Sequence, residues 1–315
     1  MEIVSITPPG RGGGFAWLRH IAVAVAALSS GAAFAQARPV AVYEGTIGVA
    51  PVELLLVHDS QQDGLGGLLV DRATGVPVDL EKTPFRTGEA PMINVLGDPA
   101  LPGATLVFGP LDHPSPRRLR GEHVDLRTRA VQPMVLERTA LFSSDVRVGY
   151  GGELLQPLAA GPWEFRVHAR KVAGEHGGRV DQIRVVERAS GETVQVIEGI
   201  ELVFRGLETL RFGYFDDDDR IDFHVQAVVE AAPGGSLPAT RTHYYLHDAA
   251  AGGYRRPADL ESLAARGAVT FTGKGWFEFR PRSAVDYSAG VLELHRYRLV
   301  SPEQLELRDV RREAF

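Results

Sequence analysis

The chain has 315 residues, of which 44% are hydrophobic and 23% are charged, and its formal net charge is −6 at pH 7. This composition is typical of globular protein and is sufficient for one large domain or two small ones. The acidic balance disfavours nucleic acid as a partner. The absence of cysteine excludes disulfide bonds, cysteine catalysis and a lipid-modified cysteine.

The N-terminal segment, residues 1–35, has the pattern of a secretory signal peptide. Arg11 and Arg19 precede the apolar run 21–28, and Ala33-Phe-Ala35 matches the small-residue pattern of a signal-peptidase site. The apolar run is too short to cross a bilayer, so a retained membrane anchor is the weaker alternative. We therefore expect an exported protein without a transmembrane anchor, located in a bacterial periplasm or secreted.

Residues 38–150 are predicted to form a first β domain. Short apolar runs separated by Gly, Asp and Pro indicate an antiparallel meander. The predicted strands include 41–48, 52–57, 68–70, 76–80 and 131–137. Residues 84–118 are rich in Pro and Gly and contribute one predicted strand, 104–108, and Arg117–Gly121 is interpreted as a basic turn.

Residues 151–315 are predicted to form a second β domain. Residues 163–171 alternate apolar and polar side chains, which is typical of a half-buried strand. Further strands are predicted at 180–187, 193–197, 223–229, 242–247, 276–279 and 291–300. Residues 258–265 are the one convincing helix. The predicted fold class is all-β, with two antiparallel portions that are sandwich-like or barrel-like.

The stretch Tyr214–Asp222 contains four consecutive aspartates, which repel one another unless water or a cation screens them. Ca²⁺ prefers oxygen ligands supplied at alternating positions of a short loop. In such a loop, the third, fifth and ninth positions and the seventh carbonyl would be Asp216, Asp218, Asp222 and Arg220. Tyr214 and Asp219 depart from the pattern, which has an acid at the first position and glycine at the sixth. The alternative interpretation is a solvated acidic hairpin turn.

Several motifs after residue 179 occur in a recognisable order. They are 180–185, 194–197, Tyr214–Phe223, Tyr244-Tyr-Leu-His-Asp248, Gly253-Tyr254 and Asp259-Leu-Glu-Ser-Leu263. This order resembles a family of exported bacterial proteins in which a D-x-[ND]-x-D-G-x-x-D-[FL] calcium loop precedes a Y-x-Y-L-Y-D strand. Members of that family are similar in fold to invertebrate-type lysozyme inhibitors, and at least one is the periplasmic immunity partner of a peptidoglycan-hydrolase effector.

The resemblance extends over residues 163–300 and implies a binding protein that inhibits a lysozyme-like or other peptidoglycan-hydrolase enzyme. It also implies that a small loop of the inhibitor enters the glycan cleft of its target. Asp286, Tyr287 and Ser288 have suitable donors and acceptors for that role. An ordinary β-turn is the alternative interpretation of this segment.

Sequence motifs for catalysis are absent. The chain contains neither G-x-S-x-G nor H-E-x-x-H. The sequence alone leaves open a two-carboxylate glycosidase, because any pair of acids can meet in space. We predict that the protein is not an enzyme. The alternative to inhibition is a non-catalytic structural or glycan-contacting role in the cell envelope.

Overall fold

The computed structural model describes residues 38–97, 102–229, 239–281, 285–286, 290–301 and 303–314. The predicted signal peptide, residues 1–35, lies outside the described residues. The described residues are mostly in strands and contain one α-helix, α1 (Ala258–Arg266). The prediction of an all-β fold with one short helix is therefore confirmed. No helix in these ranges has the length and apolar character needed to span a membrane.

The first part of the chain forms a closed antiparallel barrel of eight strands in sequence order. These are β1 (Val40–Ile47), β2 (Ala50–Asp59), β3 (Gly64–Asp71), β4 (Pro77–Pro84), β5 (Met92–Leu96), β6 (Ala104–Phe108), β7 (Arg118–Asp125) and β8 (Val131–Phe142). Strand β1 pairs with both β2 and β8, and Val40 lies opposite Phe142. The pairing of β1 with β8 closes the sheet on itself and thereby covers both of its edges.

The interior of the barrel is filled by apolar side chains from all eight strands. Alternate residues of a barrel strand face inward, as Tyr43 in β1 and Leu54 and Leu56 in β2 do. Tyr43 is fully buried, and its hydroxyl donates a hydrogen bond of 2.9 Å to the carbonyl of Pro116. This bond attaches the β6–β7 connection to the barrel.

Strands β1 to β3 are apolar on their outer face as well. Leu55 and Val70 belong to a second buried cluster, together with Phe165 and Val167 of the following sheet. A strand covered on both faces has a continuous apolar run and no alternation. This explains the three consecutive buried leucines at 54–56.

The middle of the chain forms a nine-stranded sheet in the order β17-β16-β15-β13-β11-β10-β9, with β12 beside β11 and β14 beside β15. Its strands are β9 (Tyr150–Leu155), β10 (Trp163–Lys171), β11 (Arg179–Glu187), β12 (Thr193–Ile197), β13 (Leu202–Val203), β14 (Arg211–Gly213), β15 (Asp222–Val229), β16 (Ala239–Asp248) and β17 (Gly253–Arg255). All of the pairings are antiparallel.

The last part of the chain forms a five-stranded sheet in the order β18-β19-β21-β20, with β22 also paired to β21. Its strands are β18 (Gly267–Gly273), β19 (Trp276–Pro281), β20 (Val285–Asp286), β21 (Val291–Ser301) and β22 (Gln304–Ala314). Leu260 and Leu263 of α1 share a core cluster with Tyr244 of β16 and Phe277 of β19. The helix therefore packs between the nine-stranded and five-stranded sheets.

The structure corrects the prediction of a basic turn at 117–121. Residues 118–121 belong to β7, where Leu119 is fully buried between exposed Arg118 and Arg120. One apolar residue flanked by arginines is too short a pattern to indicate a strand. Strand β5 and strand β22 were likewise not predicted.

Candidate functional site

The acidic stretch forms the connection between β14 and β15, and it lies against the five-stranded sheet. The ring of Phe215 packs against Phe271 of β18, with centroids 4.7 Å apart, and against Tyr244 of β16. Gly275 allows the two segments to approach closely, because a Cβ there would lie 3.0 Å from the Leu299 carbonyl oxygen and 3.7 Å from the Asp217 nitrogen. The loop is thus held between two sheets.

The carboxylates of the loop divide into a buried set and an exposed set. Asp216 and Asp222 are 4% and 0% exposed, whereas Asp217, Asp218 and Asp219 are exposed. Among the exposed residues, Asp217 accepts a hydrogen bond of 2.8 Å from Nη2 of Arg298, and Asp219 pairs with Nζ of Lys274. These two ion pairs connect the loop to β21 and to the β18–β19 turn.

Asp222 is held by backbone donors. Its Oδ1 accepts a hydrogen bond of 2.9 Å from the His247 N–H, and its Oδ2 accepts one of 2.8 Å from the Phe215 N–H. Burial raises the pKa of Asp222 to about 6, although these N–H groups act in the opposite direction. The Tyr254 hydroxyl donates to the Ile221 carbonyl at 2.9 Å, so β16 and β17 both fix this end of the loop.

Asp216 is the buried carboxylate of the loop with fewer hydrogen-bond donors than Asp222. Its Oδ1 accepts a hydrogen bond of 3.1 Å from the Asp218 N–H. Burial and the neighbouring charge of Asp222 raise the pKa of Asp216 to about 7. Among the described residues, no Arg, Lys or His forms an ion pair with Asp216 or Asp222. A buried carboxylate without a cationic partner has a high energy when ionised.

The backbone at Asp219 retains the turn that the calcium-loop pattern places there. Asp219 has φ 57°, in the left-handed region, at the sixth position where the pattern has glycine. Aspartate adopts this region more readily than most residues because its short side chain bonds locally. In the preceding turn, Asp218 Oδ1 accepts a hydrogen bond of 2.8 Å from the Arg220 N–H. The substitution at Asp219 therefore leaves the chain path of the loop intact.

The donor set has one feature that suits a hard cation and one that opposes it. Carboxylate oxygens with the carbonyl of Arg220 are the ligand type that Ca²⁺ prefers. Both oxygens of Asp222, however, already accept backbone hydrogen bonds. The described part of the chain contains no group of three or more His, Cys, Asp or Glu side chains arranged to hold a metal. A bound cation would have to share Asp222 with these backbone donors.

Of the predicted inhibitory loop, which comprises Asp286, Tyr287 and Ser288, the structure describes only Asp286. Asp286 belongs to β20, where it lies opposite Val291 of β21. Tyr287 and Ser288 lie outside the described residues. Strand β20 is at one end of the five-stranded sheet, which also carries the partners of the acidic loop, Lys274 and Arg298.

A polar cleft of about 490 Å³ lies between the barrel and the nine-stranded sheet. Three of its carboxylates are neutralised by arginines. Glu53 Oε2 lies 2.7 Å from Arg166 Nη2, Glu164 Oε1 lies 2.5 Å from Arg166 Nε, and Glu153 pairs with Arg184. A glycosidase needs one carboxyl group that stays protonated near neutral pH. Carboxylates that pair with arginines are unsuited to that task.

Three residues at the acidic loop were missed by the sequence analysis, namely Lys274, Arg298 and His247. Lys274 is 55 positions from Asp219, and Arg298 is 81 positions from Asp217. His247 contributes a backbone N–H, which every residue except proline possesses. The resemblance places His247 in the motif Tyr244–Asp248. No sequence pattern connects Lys274 or Arg298 with the loop, because the fold alone brings them together.

Comparisons of the chain with protein-family models, with curated proteins and with solved structures give no match. The function is therefore inferred from the residues of this chain and their geometry.

Proposed function

We propose that the protein is an exported, non-catalytic binding protein that inhibits a peptidoglycan hydrolase of the lysozyme class in the periplasm. One observation carries this proposal. The separate motifs of the resemblance surround the acidic loop, where Asp222 accepts from the His247 N–H and Tyr254 donates to the Ile221 carbonyl. A set of motifs that forms one contact network supports a shared fold better than an isolated match does.

We also propose that the acidic loop binds Ca²⁺ as a structural brace. The ligands would be Asp216, Asp218, the carbonyl of Arg220 and Asp222. Two observations support this, namely the buried carboxylate of Asp216 without a cationic partner among the described residues and the left-handed backbone at Asp219. Calcium would neutralise the buried acids and stabilise the loop between its two sheets.

A non-catalytic role is supported by the polar cleft. The glutamates that pair with Arg166 and Arg184 there lack the environment of a general acid. The inhibitory contacts are instead assigned to Asp286, Tyr287 and Ser288.

Inhibition is tested with the purified protein and a muramidase of the lysozyme class. We expect stoichiometric suppression of cell-wall lysis. The double variant Tyr287→Ala/Ser288→Ala should weaken it at least tenfold, because both side chains would contact the enzyme cleft. The matched control is Ser60→Ala/Gln61→Ala in the exposed β2–β3 turn of the barrel, which should inhibit normally.

Two results would count against the inhibitor proposal. No inhibition of any lysozyme class, combined with co-sedimentation on purified cell wall, would favour a structural or glycan-contacting role. Inhibition that the Tyr287→Ala/Ser288→Ala variant retains would assign the contact to another surface.

Calcium binding is tested by thermal unfolding with millimolar Ca²⁺ and with chelator. A loop with one carboxylate fewer than the pattern should bind with a Kd of about 10⁻⁴–10⁻³ M. Mass action then adds about 0.4–1.4 kcal/mol at 1 mM Ca²⁺, which raises the Tm by up to a few degrees. Asp218→Ala should abolish the shift, and Mg²⁺ should substitute poorly.

Asp217→Ala is the matched control for calcium binding, because Asp217 pairs with Arg298 and lies outside the proposed ligand set. This variant should keep the calcium-dependent shift. An unchanged Tm at several millimolar Ca²⁺ would show that the loop is a solvated turn.

A further inference from the structure

The C-terminal strand β22 is one edge of the five-stranded sheet, and β18 is the other. Strand β22 pairs with β21 along its length, and the structure pairs it with no other described strand. Its residues from Leu307 to Ala314 are all exposed, and Leu307 and Val310 are 51% and 47% exposed. The backbone groups on the outer side of such a strand are free to pair with another strand.

The sequence of β22 is complementary to itself in one antiparallel register. In that register Glu306 lies opposite Arg311 of a second copy, Leu307 opposite Val310, and Arg308 opposite Asp309. Opposite charges and apolar pairs across neighbouring strands are stabilising. A shift by one position places Asp309 opposite Asp309, or Arg308 opposite Arg308. Like charges directly opposite are destabilising, so the charge pattern disfavours both of these shifted registers.

The two faces of the strand agree with this register. An irregularity at Arg308 in the β21–β22 pairing places Leu307 opposite Tyr297 and Val310 opposite His295, on one face of the sheet. Glu306, Asp309 and Arg311 pair with Arg298, Arg296 and Leu294 on the other face. Residues that lie opposite each other in antiparallel strands share a face. The apolar pairs would therefore meet on one face and the Glu306–Arg311 pairs on the other.

We propose that the protein forms a two-fold symmetric dimer in which β22 pairs with β22 of a second copy. The symmetry axis passes between Arg308 and Asp309, perpendicular to the sheet. The interface is self-complementary, as a two-fold interface requires. It joins the two five-stranded sheets into one continuous sheet, with Leu307 and Val310 of both copies in contact.

Replacing the ion pairs within β22 by ion pairs between two copies costs little free energy. Within one copy, Arg308 pairs with Glu306, and Arg311 pairs with Asp309 at 2.8 Å. Such exposed pairs contribute little to stability. Charged residues and bulges on an edge strand generally prevent indiscriminate pairing. In β22 they disfavour the registers that are shifted by one position from the proposed one.

Sedimentation velocity of the purified full chain over a range of concentrations tests this proposal. We expect a reversible monomer–dimer equilibrium that weakens at high salt, because the central contacts are ionic. Glu306→Lys and Arg311→Glu should each weaken dimerisation at least tenfold, by placing like charges opposite each other. The double variant Glu306→Lys/Arg311→Glu should restore the affinity to within about threefold, since the pair is re-formed with reversed signs.

The double variant separates contacts between copies from contacts within one copy. Inside one chain, Glu306→Lys places a second cation opposite Arg298, and Arg311→Glu places a second acid near Asp309. An effect that acted through the fold alone would therefore persist in the double variant. Glu313→Lys is the matched control, because Glu313 faces Gln304 of the other copy and its reversal should leave the dimer intact. A chain that stays monomeric at every concentration, or a dimer that tolerates both single reversals, would overturn the proposal.

Discussion

At the scale of single residues, Asp216 and Asp222 determine the electrostatics of the acidic loop. Both are buried, and the pKa of Asp216 is raised to about 7 by burial and by the charge of Asp222. A carboxyl group whose pKa is raised on folding binds its proton more tightly in the folded state. Its contribution to stability is fully present below the unfolded pKa of 3.8 and is lost as the pH rises through the folded pKa.

The metal-free protein should therefore become less stable between about pH 4 and pH 7. The expected loss is about 2–4 kcal/mol, from a shift of about three pKa units at 1.4 kcal/mol each, taken as an upper range. Asp216→Asn should reduce this pH dependence and leave the part due to Asp222, whose pKa burial raises to about 6. The amide keeps the hydrogen bond from the Asp218 N–H and carries no charge. Thermal unfolding in chelator at several pH values measures the effect. An Asp216→Asn profile as steep as that of the unmodified chain would assign the titration to another group.

Lys171 is a second residue whose burial has a measurable consequence. It is 4% exposed, and its Nζ donates hydrogen bonds of 2.7 Å to the carbonyls of Ser143 and Asp145. Burial lowers the pKa of Lys171, and the charge of Asp145 partly offsets this effect. The amine thus attaches the connection between the barrel and the nine-stranded sheet.

Replacement of this lysine by methionine, Lys171→Met, should destabilise the protein by about 2–3 kcal/mol, because two carbonyls lose a charged donor. Chemical denaturation gives the value. Arg170→Met is the control, since Arg170 forms an exposed ion pair with Asp181 whose loss should cost about 0.5 kcal/mol. Equal effects of the two substitutions would mean that water replaces the amine of Lys171 without cost.

At the scale of elements, the strands with alternating or continuous apolar residues were predictable. Residues 163–171 and 291–300 were predicted as strands and are found as β10 and most of β21. Strand β22 was missed, because an exposed strand with several charged residues has no apolar period. The pairing of β1 with β8 was also unpredictable, since barrel closure joins residues about a hundred positions apart, such as Val40 and Phe142.

The contacts of the acidic loop were also only partly predictable from the sequence. Its position directly before the predicted strand 223–229 agrees with the sequence analysis. The structure further shows that Asp217 and Asp219 are exposed. The ion pairs of those residues with Arg298 and Lys274 could not be predicted, because they depend on the docking of the five-stranded sheet. Local spacing therefore identified the candidate ligands, and tertiary structure determines which of them are accessible.

Helix α1 depends on packing more than on its own ends. Its N-cap residue, Pro257, makes no side-chain hydrogen bond to the helix, and the helix has nine residues. Helices this short are unstable in isolation. Leu260 and Leu263 instead anchor α1 in the core cluster that includes Tyr244 and Phe277.

Leu263→Ala should accordingly cost about 2–4 kcal/mol, the usual range for a leucine removed from a packed core. Ser262→Ala is the control one position earlier in the helix. The Ser262 hydroxyl donates to the Ala258 carbonyl and is exposed, so alanine there should be neutral or slightly stabilising. Urea unfolding of both variants makes the comparison. A Leu263→Ala cost below about 1 kcal/mol would show that the helix contributes little to the stability of the sheets that it contacts.

At the scale of the whole molecule, the barrel and the nine-stranded sheet are joined by an apolar cluster and by a buried ion pair. Leu55 and Val70 of the barrel share a buried cluster with Phe165 and Val167 of the sheet. Beside it, Glu53 is 1% exposed and binds Arg166 through two hydrogen bonds of 2.7 and 3.2 Å. Burial opposes the charge of Arg166, but pairing with Glu53 and Glu164 outweighs this effect and raises the pKa of Arg166.

Removal of the glutamate, Glu53→Ala, should therefore destabilise the protein by about 3 kcal/mol. Breaking a buried pair costs about 3–5 kcal/mol because the remaining charge is unpaired, and Glu164, whose Oε1 lies 2.5 Å from Arg166 Nε, keeps the value at the lower end. The double variant Glu53→Leu/Arg166→Met should recover only part of the loss, since it removes the unpaired arginine but leaves Glu164, whose side chain is 12% exposed, without Arg166. Arg72 of the barrel lies 3.4 Å from Glu53 and 2.6 Å from Glu44. Glu44→Ala is the control, because Glu44 pairs with this arginine from an exposed position. Denaturation followed by the fluorescence of Trp163 in β10, together with hydrogen exchange in the barrel strands, measures these values.

Because the cluster and the ion pair connect the two parts, we expect both probes to report one transition. Separate transitions for the barrel and the sheet would show that the ion pair is a surface contact between independent folding units.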